Sequence, residues 1–232
     1  MSALTSEPLD SYRRDGFVRL DAAFSHELAA RCRARLWEQL DESPDDPSTW
    51  TRPVARLGAQ LDEPFREAVA SPRWLDAIHA VAGRDAAPEP WLGGTVAVRF
   101  PIAGPPNDDG WHVDGSYAGP DGRWWLNARS DGRALLMLVL LSDVGPDDAP
   151  TRLRVGSHVD VPDALAPFGD AGVASLDFPL PARALARPIA FATGRAGDVY
   201  LCHPFLVHAA QRHHGREPRF VAQPGVPWAN GR

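Results

Sequence analysis

Apolar residues recur at every fourth position through Leu28, Cys32, Leu36 and Leu40, which is one face of an amphipathic helix. Ser25 stands where a helix cap is needed, and Glu27 places an acid in the first turn. A short helix is predicted over Glu63 to Ala70. A better-marked one follows, with Ser71 as cap, Pro72 at the first helical position, Trp74, Ile78 and Val81 as its apolar face and Gly83 as its stop. Beyond residue 90 the period changes from four to two. Thr95 to Phe100 alternates and is rich in β-branched residues, whereas Ala134 to Ser142 is apolar almost throughout, as a strand covered on both faces would be. Further short strands are predicted over Arg152 to Val155, Pro188 to Phe191, Asp198 to Cys202 and Phe220 to Gln223. Gly, Pro and Asp clusters at Ala103 to Gly110, Gly145 to Pro150 and Gly194 to Gly197 punctuate them.

Helices followed by many short strands predict a mainly β chain with flanking helices, of α+β class, whose β part is a sandwich or a barrel. No repeat and no linker divides the 232 residues, so one domain is expected, with 1–90 a mainly helical support and 91–232 the β core.

Composition narrows the chemistry. All 24 basic residues are arginine. Without lysine there is no Schiff-base nucleophile and no P-loop cation. A net charge of -6 disfavours nucleic acid and anionic membrane surfaces as partners. The two cysteines, Cys32 and Cys202, cannot build a disulfide framework or a thiolate zinc site. The opening residues do not read as a signal peptide, and the longest apolar run, Ala134 to Leu141, is far too short to span a bilayer. A cytoplasmic protein acting on a small molecule, as monomer or homodimer, is expected.

Histidines are the remaining metal-capable groups. In His112-Val113-Asp114 an imidazole and a carboxylate two residues apart share one face of an extended chain. With a distant histidine they would form a 2-His-1-carboxylate triad, which leaves open positions on iron. The spacing alone says little, because about one such pair is expected by chance. A second occurs at His158-Val159-Asp160, where the preceding Gly156-Ser157 and following Pro162 mark a turn. The C-terminal third carries His203-Pro204-Phe205-Leu206-Val207-His208 and then Arg219. A planar guanidinium on a strand beside a ligand histidine suits the free carboxylate of a chelating keto acid such as 2-oxoglutarate.

Gly110 to Gly115, Pro150 to His158, and Gly197-Asp198 with His203, His208 and Arg219 together resemble the phytanoyl-CoA dioxygenase family of Fe(II)/2-oxoglutarate oxygenases. Tyr12 to Leu20 is similar to that family's opening. The resemblance implies a double-stranded β-helix, a jelly-roll or cupin-like barrel with the N-terminal helices packed outside. It implies His112, Asp114 and His208 as ligands of Fe(II), Arg219 as the anchor of the 2-oxoglutarate carboxylate, and O2 as the oxidant. His203 then becomes a structural residue, and His213 and His214 fall in an exposed hairpin. Arg99 either assists the cosubstrate or holds a surface carboxylate, and the Thr151 hydroxyl donates a hydrogen bond to the cosubstrate. The family often has an aromatic near Leu138, which this chain lacks. Retention of Asp114 implies hydroxylation or a related oxidation rather than halogenation. The loops Ala103 to Asp109 and Ala118 to Arg133 are expected to form the pocket lid, where Trp124 and Trp125 either stack on substrate or pack the lid down. Two other classes share these residues: a cupin-type metal barrel that does not use 2-oxoglutarate, and a non-catalytic binding barrel.

Overall fold

The computed structural model describes residues 6–230. In chain order its strands are β1 (Phe17–Leu20), β2 (Val54–Leu57), β3 (Thr95–Arg99), β4 (Tyr117–Ala118), β5 (Trp124–Leu126), β6 (Leu135–Leu140), β7 (Thr151–Arg154), β8 (Val173–Ala174), β9 (Ile189–Ala192), β10 (Val199–Cys202), β11 (His208–Ala209), β12 (Arg219–Gln223) and β13 (Gly225–Val226). The α-helices are α1 (Ser6–Asp15), α2 (His26–Trp37), α3 (Phe65–Val69), α4 (Pro72–Ala82), α5 (Val161–Leu165) and α6 (Ala182–Leu185). The large sheet runs β1-β10-β6-β12-β3-β2, with β13 also on β6. Two three-stranded sheets have the orders β11-β7-β9 and β4-β5-β8. Every pairing is antiparallel.

Strand β6 explains its own composition. Leu135, Met137, Val139 and Leu141 point to the side covered by α2 and α4, where they meet Leu28, Cys32, Leu36, Trp74 and Ile78. Leu136, Leu138 and Leu140 point the other way, against Leu153 of β7 and Ala192 of β9. Both faces are dry, so the strand carries no polar alternation. The stripe predicted for α2 is the one buried, and Ser25 Oγ accepts a hydrogen bond from the Leu28 amide at 3.1 Å. Ser71 stands at the cap of α4, but its hydroxyl donates to the Ala23 carbonyl instead of capping the helix.

Three features go beyond the sequence expectations. The first 90 residues are not only helical: β1 and β2 supply the two edges of the large sheet. Four-residue strands flanked by helices give too little alternation to be read from sequence. The predicted lid loop from Ala118 to Arg133 contains β5 and part of β4, a hairpin that pairs with β8. Finally, the strands form open antiparallel sheets facing one another. Among the described residues no closed barrel is found, since β1 and β2 end the large sheet, β9 ends a small one, and β11 is met beyond β7 only by the isolated bridge to His112. Among the described residues no helix is long and apolar enough to cross a membrane.

Candidate metal and cosubstrate site

The two candidate ligand histidines are joined through their backbones. His112 N–H donates to the His208 carbonyl and His208 N–H to the His112 carbonyl, each at 3.0 Å, so the two residues form an isolated antiparallel bridge. Their rings follow, with centroids 4.4 Å apart. Asp114, two residues on, brings Oδ1 to 3.4 Å from His112 Nε2 and 3.7 Å from His208 Nε2. One donor atom from each of the three residues lies within 4.8 Å of the others. Gly115 is required here, because a Cβ on it would stand 2.6 Å from Trp124 Cβ and 2.7 Å from the Trp124 carbonyl carbon.

The protonation pattern tests whether a metal fits. His112 Nδ1 lies 2.9 Å from the Gly110 carbonyl and His208 Nδ1 lies 3.0 Å from the Leu206 carbonyl. A carbonyl only accepts, so both Nδ1 atoms carry the proton and both Nε2 atoms are left as lone pairs. Those lone pairs face a carboxylate, and buried His208 Nε2 has no hydrogen-bond partner among the described residues. Three electron-rich atoms converging without a proton between them suit a divalent cation. The three groups also perturb one another's charge. Burial, and then the neighbouring His112, push the His208 ring down to about 4. Burial alone would raise Asp114, but His208, His112 and Arg133 outweigh it and hold the carboxyl well below its usual range. Burial likewise opposes protonation of His112, yet its contact with Asp114 wins and its pKa is raised.

Arg219 and Arg99 face each other directly across the β12–β3 pair. Both are buried, on the inner side of the large sheet. Arg219 Nη2 donates to Thr151 Oγ1 at 3.0 Å, which ties the large sheet to the small sheet carrying His208. Arg219 has no ion pair among the described residues; burial, and then the Arg99 charge, push it down to about 9. Arg99 has a partner: Nη2 donates to Asp108 Oδ2 at 2.6 Å, and Arg56 binds the same oxygen. Arg99 Nε, Arg219 Nε and Asp108 Oδ1 are all buried without hydrogen bonds among the described residues. Two clustered guanidiniums with unused donors fit a small dicarboxylate.

The structure thus brings His112, Asp114 and His208 together, and Arg219, Arg99 and Thr151 together. It separates the two tryptophans. Trp124 is 60% exposed and lines a cavity of about 660 Å³ that also reaches Asp114, Gly115 and Ser116. Trp125 is turned to the other face of β5, where its indole N–H donates to Asp121. His158 lies in a 3-10 turn and packs on His203. His214 is exposed as expected, but His213 is buried: its Nδ1 accepts from the Gly215 amide, and its ring packs beneath that turn. Leu138 is fully buried between the sheets.

Sequence reasoning passed over several residues. Asp108 pins the loop before His112 to β3 and β2. Trp111 lies between the guanidiniums of Arg152 and Arg154, 4.7 and 4.2 Å from its ring centre, and Arg152 also donates to the Asp109 carbonyl. Arg133 Nη1 reaches Asp114 Oδ2 at 3.4 Å. Asp108 and Arg133 fall inside the loops flagged as the lid, but nothing in their spacing marks them.

Comparison with known proteins places the chain among relatives of one kind. No curated protein matches the sequence. Among solved structures, the α-ketoglutarate-dependent carbocyclase SnoK from nogalamycin biosynthesis superposes with a TM-score of 0.69 at 19% identity, over 99% of this chain and 87% of that one. The epimerase SnoN, solved with Fe3+, α-ketoglutarate and a nogalamycin compound, gives 0.67 at 22% identity, over 96% and 82%. HygX from Streptomyces hygroscopicus, solved with nickel, 2-oxoglutarate and hygromycin B, gives 0.58 at 20% identity, over 97% and 87%. At these identities the likeness is one of fold. The family model "Phytanoyl-CoA dioxygenase (PhyH)" matches residues 12–221, nearly the whole sequence, and the chain belongs to that family.

Proposed function

We propose that the chain is a non-haem Fe(II)/2-oxoglutarate-dependent oxygenase of a small molecule. It works as one domain of jelly-roll type in the cytoplasm, with the helical first third supporting the strands. The observation that carries this reading is the convergence of His112 Nε2, His208 Nε2 and Asp114 Oδ1 on one point, with both Nδ1 atoms already committed to carbonyls. His112, Asp114 and His208 would hold the iron. Arg219 would take the far carboxylate of 2-oxoglutarate, with Thr151 fixing its guanidinium and Arg99 adding charge beside it. When bound, the iron with 2-oxoglutarate and O2 supplies oxidation of an unactivated C–H bond, giving succinate and CO2. The chain's own part is to orient the ligands, exclude water from the inter-sheet space and place the substrate. Asp114 fills the carboxylate position, which favours hydroxyl transfer over halide transfer. The α-ketoglutarate-dependent neighbours include a carbocyclase, SnoK, and an epimerase, SnoN.

The test is succinate formation from 2-oxoglutarate by the iron-loaded protein, together with calorimetric binding of metal and 2-oxoglutarate. His112→Ala, Asp114→Ala and His208→Ala should each lower turnover by at least about 100-fold and weaken metal binding. Parent-like turnover in all three would overturn the assignment.

A further inference from the structure

The cavity of about 660 Å³ beside Asp114 has the size of a site for a whole small molecule. Its charges are unevenly committed. Arg123 is held by both Asp121 and Asp177 at 2.7 Å. Glu89 has no ion pair among the described residues; it also borders two further crevices, near α3 and α4, that touch neither Asp114 nor Arg133. Arg133 is different. Its only side-chain partner among the described residues is Asp114 Oδ2, at 3.4 Å, a long contact. Oδ1 of the same carboxylate faces the two histidines.

Arg133 is also built into place. Its amide donates to the Ser130 carbonyl at 3.2 Å, and its own carbonyl accepts from Ser130 Oγ at 2.8 Å. The side chain is 15% exposed and lies over Gly225, where a Cβ would come within 3.1 Å of Arg133 Nε. Around the same cavity stand two large apolar side chains left exposed among the described residues: Trp124 at 60% exposure and Leu176 at 87%. Ala174 and Pro227 extend that apolar lining.

We propose that Arg133 is the substrate-anchoring residue and that the substrate is a carboxylate borne on a flat, largely apolar body lying against Trp124. This rests on the oxygenase reading above. A metal held by Asp114 takes over that carboxylate's charge and leaves the Arg133 guanidinium free to pair with an incoming anion. A planar fork of donors matches a carboxylate in two-point fashion. The oxidised carbon is then one close to the carboxylate, because Arg133 stands next to an iron ligand.

The test uses the full chain loaded with Ni(II) and saturating 2-oxoglutarate, with bound metal and cosubstrate quantified in every sample. 2-Naphthoate and neutral 2-naphthamide are titrated in by calorimetry. The acid should bind at least about tenfold more tightly than the amide, the usual scale for one charge-assisted pair. Arg133→Gln should bring the ratio to near one, Arg133→Lys should keep part of it, and Trp124→Ala should weaken both probes. Equal binding of acid and amide by the parent chain overturns the proposal whether or not a variant folds. So does an undiminished preference in Arg133→Gln. Failure of the parent to bind Ni(II) and 2-oxoglutarate would sink the oxygenase reading itself, whereas normal loading without preference for the acid sinks only this inference.

Discussion

The two faces of the large sheet are equally dry and chemically opposite. On the helix side, Leu135, Met137, Val139, Val199, Leu201 and Phe220 share one apolar core with the buried residues of α2 and α4. On the inner side, Leu136, Leu138, Val221 and Leu153 form a smaller apolar cluster, and β12 and its neighbour β3 carry the buried Arg219 and Arg99 on that same side. Neighbouring residues of one strand thus differ sharply: Phe220 packs on the helix side, and Arg219 buries a guanidinium that has no ion pair among the described residues. The helix side supplies stability. The inner side spends some of it, because a buried guanidinium without a counter-ion is costly.

That contrast can be broken most sharply at Arg219. Arg219→Leu should weaken 2-oxoglutarate binding by about 30-fold or more, the cost of truncating one partner of a desolvated charge pair. The same change should raise the melting temperature of the cosubstrate-free protein, because burial disfavours the charged form that it removes. Leu201→Ala on the opposite face should do the reverse. It should cost about 2–5 kcal/mol in denaturant unfolding while 2-oxoglutarate affinity stays close to that of the parent at a temperature where both are folded. Asp108→Asn should have an intermediate effect. It leaves Arg99 and Arg56 without their shared carboxylate and unpins the loop leading to His112, at about 1–3 kcal/mol of stability.

The smallest effect expected is a pH dependence. Burial, and then the nearby His158, push His203 down to about 4. Between that value and the ordinary histidine range the unfolded chain binds the proton and the folded chain does not. Stability from this group is therefore fully present above about 6.5 and lost as pH falls towards 4. The loss should be on the order of 1–2 kcal/mol, and a His203→Gln variant should show a shallower decline of melting temperature with acid.

The helix side was the more legible in sequence. Its stripe through Leu28, Cys32 and Leu36 and the long run in β6 are periodic, and periodicity survives without knowledge of partners. Of the site, His112, Asp114, His208 and Arg219 could be named because their residue types and order resemble a family. Asp108, Arg56 and Arg133 could not. Each matters through a contact with a residue from another loop or strand, and an aspartate in a Gly/Pro loop looks the same whether or not an arginine meets it. His213 misled for the same reason: a His-His pair in a polar hairpin reads as exposed until the turn folds one ring inward. Strands of two to four residues, such as β1, β4 and β8, are too short to show a period, and sheet closure depends on which edges pair, which no local pattern records.

The backbone bridge between His112 and His208 has a practical consequence for metal selectivity. Because two main-chain hydrogen bonds set the spacing of the rings, the site is organised before any ion arrives. A preformed nitrogen and oxygen pocket ranks divalent ions by their intrinsic affinity, and Fe(II) stands low in that order, below cobalt, nickel, copper and zinc. Protein handled in air with trace metals will fill with the wrong ion, so a silent preparation should first be stripped with chelator and reloaded with ferrous iron under anaerobic conditions.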